Sequence, residues 1–341
     1  MKKIIYTLSI LLLILNGCAT RPLNRSKSAK ITNQVWIVTG ASSGFGRGIA
    51  LQAGAYKARV VLASRNAAEL EKVAREIQAS GGQALVVATD VSDSAAMAAL
   101  IAQTVAHWDH IDVFVNNAGV TVMGNFWEVP LRDHERVLNV NMKGSFYGSY
   151  YAIQQFTRQG YGQLINIVSA ESRIPTPYQG AYITAKGGIK NLGIGLRQEL
   201  RLAGYPQIKV VSVDPFAMNT PIWDHAGNYL GHAPRMSMMD RTGKAVNAVM
   251  HAVSNKRNRD MAVGWKTHGA YTVNRVFPRL SYRIAANVVY RHQIKMAPPA
   301  PQTTGNLYTP SQYPVVETDI KERMKEEKKE YKRKKRAKAG R

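Results

Sequence analysis

Residues 35–46 read VWIVTGASSGFG, an apolar run that passes directly into a glycine-rich turn. The run from Val35 to Val38 is typical of a buried strand, and the pattern that opens near Phe45 is typical of a helix. A turn of this kind can hold a pyrophosphate, because backbone N–H groups and the positive end of the helix dipole face the ligand. The stretch therefore predicts a nucleotide-phosphate site at the start of an α/β domain.

Three glycines of this turn have separate expected roles. Gly40 lets the chain turn tightly out of the strand, Gly44 lets the backbone approach a phosphate, and Gly46 lets the helix pack on the sheet. A glycine cluster could also be a simple tight turn, but its position between a strand and a helix favours phosphate binding. The other residues of the turn expected to contact a cofactor are Ser42, Ser43 and Phe45.

Apolar runs alternate with amphipathic stretches along the rest of the chain. Further strand candidates lie at residues 60–63, 84–88, 113–115, 164–168, 210–213 and 261–263. Helical patterns separate them at residues 67–79, 95–106, 131–158 and 181–202. Strands that alternate with helices predict a doubly wound α/β fold, with a mainly parallel sheet and helices on both faces.

The end of the second strand bears on the choice of cofactor. Ser64 and Arg65 stand where an NAD site would place Asp or Glu for the ribose 2′-hydroxyl. Both side chains can donate to a 2′-phosphate, Arg65 through a charge-assisted fork. Such a bond contributes roughly 1.5–3 kcal/mol, so the sequence predicts NADP over NAD. The alternative interpretation is a surface arginine that merely follows a strand.

Two later strand ends extend the expected cofactor site. Asp90, beside Val91, follows the third strand and could accept a hydrogen bond from the adenine amino group. After the fourth strand come Asn117, Ala118 and Gly119, where small residues would let the backbone lie against the cofactor. Both segments belong to the carboxyl edge of the sheet, where open α/β sheets bind their ligands.

Four further side chains suggest proton and hydride chemistry. Tyr182 and Lys186 lie four residues apart, on one face of a predicted helix. There the ammonium is expected to lower the pKa of the phenol and to bind the nicotinamide ribose. Ser169 ends the fifth strand and could hold the substrate oxygen that exchanges a proton with Tyr182, while Asn141 could hold a water that relays protons to Lys186. Together with the glycine turn, this predicts hydride transfer to or from a nicotinamide cofactor.

With these motifs in this order, residues 35–263 resemble a short-chain dehydrogenase/reductase of the subfamily with TGxxxGxG and YxxxK. The resemblance implies a Rossmann sheet, usually of seven strands, and a catalytic tetrad of Asn141, Ser169, Tyr182 and Lys186. It implies reversible oxidation of an alcohol to a carbonyl, and association as a homo-dimer or homo-tetramer.

The resemblance also extends to the segment after the sixth strand. Thr220 matches the family residue that holds the nicotinamide carboxamide, whereas Phe216 stands where the family usually has glycine. Residues 171–180 and 222–240 are the expected substrate lid. Their apolar side chains indicate an apolar small-molecule carbonyl or alcohol, although they could equally be ordinary packing. They are Trp223, Tyr229, Met236, Met238 and Met239.

A function of another class stays open, a non-catalytic cofactor-binding scaffold or sensor at a membrane. The complete tetrad argues against it, because a scaffold has no physical need for Ser169, Tyr182 and Lys186 together. The sequence shows no His, Cys and Asp cluster with metal-ligand spacing, so no metal is predicted.

The two ends of the chain predict contact with a membrane. The sequence has 341 residues and a net charge of +24. Lys2 and Lys3 precede a short apolar run and then Cys18, a pattern that resembles a lipoprotein signal with Cys18 as the lipidation candidate. The expected localisation is therefore membrane-anchored through the N-terminus, with a cytoplasmic enzyme as the alternative. The basic tail could contact anionic lipid, and it lacks the interleaved aromatics that would favour nucleic acid.

The resulting domain plan has five parts. A Rossmann catalytic domain of residues 34–265 is flanked by a signal-like segment, a linker, a basic extension and a charged tail. The four flanking ranges are 1–18, 19–33, 266–316 and 317–341.

Overall fold

The computed structural model describes residues 20–310 and 314–339, and its centre is a seven-stranded parallel sheet. Across this sheet the strands lie in the order β3-β2-β1-β4-β6-β7-β9, so the chain builds outward from β1, first toward β3 and then toward β9. Strands β5 and β8 form a separate two-stranded sheet. The strands are β1 (Val35–Thr39), β2 (Arg59–Ser64), β3 (Gln83–Ala88), β4 (Val113–Asn116), β5 (Val122–Met123), β6 (Gly162–Ile167), β7 (Ile208–Asp214), β8 (Gly227–Asn228) and β9 (Met261–Ala262). The predicted doubly wound fold is confirmed.

Helices cover both faces of the sheet. They are α1 (Arg25–Ser28), α2 (Gly44–Ala55), α3 (Ala67–Ala79), α4 (Ser94–Trp108), α5 (Leu131–Leu138), α6 (Gly144–Gln159), α7 (Gly180–Leu202), α8 (Gly243–Ser254), α9 (Gly264–Val276), α10 (Pro278–Tyr290) and α11 (Ile320–Ala339).

The first strand shows why the sheet is buried on both sides. Successive side chains of a strand point to opposite faces. Trp36 and Val38 therefore enter the core cluster on one face, and Val35 and Ile37 enter the cluster on the other. All of them are fully buried, which explains the continuous apolar run in the sequence.

The helical pattern at residues 131–158 forms two helices joined by a π turn, Asn139–Lys143, rather than one regular helix. The turn contains Asn141, whose Oδ1 accepts from the N–H of Val120 at 2.8 Å and whose Nδ2 donates to the carbonyl of Val120 at 2.9 Å. Single π turns inside helices are frequent at functional sites. Here the turn accommodates a buried side chain that is fixed to the loop after β4.

The segment at residues 19–33, interpreted from its sequence as a linker, is packed on the domain where the structure describes it. It contains α1, and both Leu23 and Ile31 join the hydrophobic core. Asn247 Nδ2 of α8 donates to the carbonyl oxygen of Thr20 at 3.0 Å.

The predicted membrane-anchored localisation is wrong, because the described helices do not supply a membrane span. Two described helices are long enough to cross a bilayer, α7 with 23 residues and α11 with 20. Both carry several charged side chains, so within residues 20–310 and 314–339 no helix is also apolar enough to do so. Cys18, the lipidation candidate, lies outside the described residues.

Candidate active site

One cavity of about 530 Å³ opens at the carboxyl edge of the sheet. It extends from the glycine turn after β1 to the predicted catalytic side chains after β6. Sixteen of the predicted cofactor-binding and catalytic residues border it: Gly40, Ser42, Ser43, Gly44, Phe45, Ser64, Arg65, Asp90, Val91, Asn117, Ala118, Gly119, Ser169, Tyr182, Lys186 and Thr220. Asn141 is fully buried behind this wall and reaches it through Val120.

The glycine turn and the loop after β4 are held against each other by Thr39. Its hydroxyl donates to the carbonyl of Val115 at 3.1 Å and accepts from the N–H groups of Asn117 at 2.9 Å and Ala118 at 3.1 Å. The side chain of Asn117 donates back to the carbonyl of Thr39 at 2.8 Å. The floor of the cavity is therefore built from two strand ends bonded into one rigid unit.

Of the three glycines of the turn, Gly46 has the least space for a side chain. A Cβ at this position would lie 2.1 Å from the carbonyl oxygen of Gly40 and 2.5 Å from Asn117 Nδ2. Neither neighbour can retreat, because one is backbone and the other is hydrogen-bonded. The helix can pack this closely on the turn only with glycine here, as the sequence predicted.

We expect Gly46→Ala to lower the melting temperature by several degrees, since overpacking costs typically about 1–3 kcal/mol. It should also weaken dinucleotide binding, because α2 must shift. Gly195→Ala is the matched control: it lies in α7, where nothing within 4 Å would meet a new Cβ. Calorimetry of both variants tests this expectation, and an unchanged melting temperature for Gly46→Ala would contradict it.

The predicted catalytic side chains converge around the tyrosine. The hydroxyl of Ser169 acts on Tyr182 in the direction that favours the phenolate. Ser169 Oγ also accepts from the N–H of Glu171 at 3.1 Å. Lys186 Nζ lies 5.6 Å from the centre of the Tyr182 ring and donates to the carbonyl of Ile167 at 2.8 Å.

The electrostatics differ from the sequence expectation. Burial raises the pKa of Tyr182, and the nearby carboxyl of Glu171 raises it further; together they outweigh the opposite influence of the Ser169 hydroxyl. Lys186 was expected to lower this pKa, but burial lowers its own pKa to about 8. The phenol of Tyr182 is therefore protonated at neutral pH, the form that can donate a proton.

Arg65 borders the cavity, but its guanidinium is already engaged. Nη1 donates to the carbonyl of Leu307 at 3.2 Å, and Nη2 donates to those of Asn306 at 2.9 Å and Thr309 at 3.1 Å. These three bonds tie it to the C-terminal extension. Since the guanidinium has five N–H groups, two remain for another acceptor.

The same extension reaches the glycine turn. The N–H of Gly44, in the first turn of α2, donates to the carbonyl of Val315 at 2.8 Å. Ser43 occupies the N-cap position but makes no side-chain bond to the helix. The remaining first-turn N–H groups therefore need an external acceptor, which suits an anionic ligand.

Asp90, expected to accept from adenine, is bonded within the protein. Its Oδ1 accepts from the hydroxyl of Ser92 at 2.7 Å, and its Oδ2 accepts from Arg136 Nη2 at 2.8 Å. Arg136 was not singled out from the sequence, because it lies in the middle of a helical pattern without a motif. It also donates to the carbonyl of Leu307 at 2.8 Å, so it fixes the extension beside Arg65.

Only some of the side chains of the expected substrate lid border the cavity. Trp223, Met236 and Met238 border the cavity, whereas Tyr229 and Met239 do not. Tyr229 hydrogen-bonds to the carboxyl of Asp133 instead. Helices α9 and α10, which the sequence did not connect with the site, add further apolar side chains to the wall: Val273, Ile284, Val288 and Val289.

Two features of the site fit a bound dinucleotide. The wall is continuous from the first turn of α2 to Tyr182, and the glycine turn is tight enough to need Gly46. Among the described residues, no group of three or more His, Cys, Asp and Glu could hold a metal ion.

Comparison with known proteins agrees with this arrangement. The family described as short chain dehydrogenase matches residues 34–229. An uncharacterized oxidoreductase, YxnA of Bacillus subtilis, is 30% identical over 285 residues, which cover 83% of this chain and 80% of YxnA.

Two solved structures share the fold. A short-chain dehydrogenase/reductase of Burkholderia phymatum in complex with NAD superposes with a TM-score of 0.65 at 22% identity, over 76% of this chain and 97% of that one. An alcohol dehydrogenase of Thermococcus sibiricus complexed with 5-hydroxy-NADP gives a TM-score of 0.60 at 22% identity, over 67% of this chain and 95% of that one. These likenesses support the fold and leave the choice of cofactor open.

Proposed function

This chain belongs to the short-chain dehydrogenase family and is an oxidoreductase, and we propose that it is NADP-dependent, interconverting an alcohol and a carbonyl with Tyr182 as acid and base. One observation carries the proposal. Ser169, Tyr182 and Lys186 border the same cavity as the glycine turn, and Asn141 is bonded to its wall.

The cofactor would be held by residues at both ends of the cavity. The first turn of α2 suits its pyrophosphate, Ser64 and Arg65 its 2′-phosphate, and Thr220 its carboxamide. When bound, NADP(H) supplies the hydride acceptor or donor.

The chain's own residues would manage the proton. In reduction, the protonated Tyr182 hydroxyl donates to the carbonyl oxygen of the substrate, while the Ser169 hydroxyl hydrogen-bonds to the same oxygen. The N–H of Glu171 occupies a lone pair of Ser169 Oγ and so orients its hydroxyl. Lys186, with Asn141 behind the wall, would return a proton to Tyr182.

The charges around Arg65 support a preference for NADP. Burial lowers the pKa of Arg65, and the positive charge of Arg136 lowers it further, so two guanidinium groups repel each other here. The Asp90 carboxylate offsets this repulsion in part. A 2′-phosphate on the two free N–H groups of Arg65 would offset more of it, since charge-assisted bonds are about twice as strong as neutral ones.

The two reaction directions should respond differently to pH. Because burial and Glu171 raise the pKa of Tyr182, alcohol oxidation, which needs the phenolate, should accelerate as pH rises from about 6 to 10. Carbonyl reduction, which needs the phenol, should keep its rate at neutral pH. Initial rates in both directions test this, and oxidation that is fastest at the acid end would contradict it.

We also propose a homo-oligomer formed through α6 and α7. Phe146 and Tyr150 of α6 and Ile194 of α7 are exposed large apolar side chains, and an association would bury them. Light scattering of the full chain should give at least twice the mass of one chain, and a monomer would exclude this proposal.

A further inference from the structure

Glu171 is an acid in the cavity wall that the proposed reaction does not use. It lies in a short 3₁₀ turn, Ala170–Ser172, directly after the catalytic serine. Its N–H is bonded to Ser169 Oγ at 3.1 Å, so the position of its backbone is fixed relative to the reacting groups. Its side chain borders the cavity together with Tyr182.

One oxygen of this carboxyl is held firmly. Oε1 accepts from the hydroxyl of Thr176 and from Gln179 Nε2 at 3.1 Å. Gln179 is fixed in turn by a bond from the hydroxyl of Thr121, at 3.2 Å, in the loop after β4. The carboxyl plane is therefore oriented by two separate segments of the chain.

The other oxygen, Oε2, has no donor. Within the described part of the chain, both hydrogen bonds to this side chain fall on Oε1, and Glu171 forms no ion pair. The nearest cation along the chain, Arg173, stacks instead on the ring of Tyr271 at 4.7 Å and bonds to Asp260. Glu171 is partly exposed, and Oε2 is not among the buried polar atoms that lack a partner, so this oxygen is open to the cavity. A ligand that supplies a donor there would form a charge-assisted hydrogen bond in place of water.

The rest of the substrate end of the cavity is mainly apolar, with Ile174, Trp223, Met236 and Val273 in its wall, although Ser237 and Ser281 also border it. Among the described residues Glu171 is the one acidic side chain at this end, so its carboxylate is the strongest acceptor for a substrate hydroxyl or amine. A site built around one polar group discriminates strongly against analogues that lack the partner, because that group is then left unpaired.

We propose that Glu171 Oε2 accepts a hydrogen bond from a hydroxyl or amino group of the substrate, so that the enzyme selects carbonyl compounds carrying such a donor near the reacting carbon. This amends the wholly apolar substrate expected from the sequence. It rests on the proposed function, because it names the substrate class of that same site.

The preference for substrates that carry a donor should depend on pH. Burial raises the pKa of Glu171 to about 7, although the bond from Thr176 opposes this. Of the titratable groups that border the cavity near it, Tyr182 and Lys186 belong to α7 and His225 follows Trp223, and the charge of Glu171 acts on Tyr182. Arg173, two residues further along the chain, is engaged with Tyr271 and Asp260. Above about pH 7 the carboxylate is ionised and the stronger acceptor. The preference for donor-bearing substrates should therefore rise between pH 6 and 8.

Glu171→Gln is the discriminating variant. A glutamine can still accept from Thr176 and Gln179, but it places an NH₂ donor where Oε2 was an acceptor. The probes are benzaldehydes substituted at the meta or para position with a hydroxyl, which donates, a methoxy group, which only accepts, or a methyl group, which does neither. The full chain is assayed with NADPH and with NADH.

Wild type should favour the hydroxy over the methyl aldehyde by about ten- to a hundredfold in kcat/KM, the range of a hydrogen bond to a charged group. Glu171→Gln should lose this preference and turn toward the methoxy aldehyde. Thr176→Val removes one of the two bonds that orient the carboxyl, and this bond also opposes the rise of its pKa, so the variant should reduce the hydroxy-to-methyl ratio, but less than Glu171→Gln does.

Two outcomes separate the possible failures. If wild type turns over the aldehydes but Glu171→Gln leaves the hydroxy-to-methyl ratio unchanged, Glu171 only braces its loop and the inference is wrong. If wild type reduces none of them with either cofactor, the proposed reaction fails, and the inference fails with it.

Discussion

Replacing Tyr182 by phenylalanine should lower kcat by about 10²–10⁴-fold, the usual contribution of a positioned acid or base. The ring and its packing are retained, and only the hydroxyl that would give the proton is removed. The dissociation constant for NADPH should change little, because the phosphate and adenine ends of the cavity lie elsewhere. Stopped-flow turnover and a fluorescence titration with NADPH measure the two quantities separately.

A matched control for this variant is Tyr147→Phe. Tyr147 packs at the edge of the same core cluster but does not border the cavity. The control should keep wild-type turnover. Turnover that survives in Tyr182→Phe would show that the proton is transferred by another group, and a large loss of NADPH binding would show that Tyr182 chiefly shapes the site.

Replacing Arg65 by alanine should raise the dissociation constant for NADPH about ten- to a hundredfold and leave that for NADH nearly unchanged. The reason is the loss of charge-assisted bonds to the 2′-phosphate, which NADH lacks. Isothermal titration with both cofactors measures the difference.

Arg65 also holds the C-terminal extension, and a second variant separates the two roles. The hydroxyl of Tyr308 donates to Asp133 at 2.7 Å, so Tyr308→Phe loosens the same extension without touching the guanidinium. It should leave the NADPH affinity intact. If both variants weaken NADPH equally, the extension and not the arginine governs binding, and the cofactor preference must be reassigned.

The central sheet could be predicted because its signals are local. In β1, for example, each residue from Val35 to Val38 is buried, so the apolar run in the sequence directly indicates a strand that is covered on both faces. Ser169, Tyr182 and Lys186 could be placed at one edge for a related reason: in a parallel sheet, strand ends and the helices after them converge.

The surroundings of the site depend on contacts that no local pattern encodes. The three bonds from Arg65 reach residues more than 240 positions away. The raised pKa of Tyr182 depends on burial and on Glu171, whose orientation is set by Thr176 and Gln179. Helices α9 and α10 lie mostly in the stretch interpreted as a basic extension, residues 266–316, where no motif indicates which cavity a helix will border.

The most direct test of the central claim is a transfer experiment with the full chain. The protein is incubated with the substituted benzaldehydes and NADPH that carries deuterium at C4 of the nicotinamide, and the products are analysed by mass spectrometry. We expect a benzyl alcohol with deuterium on the carbinol carbon, formed by wild type and about 10²–10⁴-fold more slowly by Tyr182→Phe. Tight NADPH binding without any deuterated alcohol would contradict it and favour a cofactor-binding scaffold.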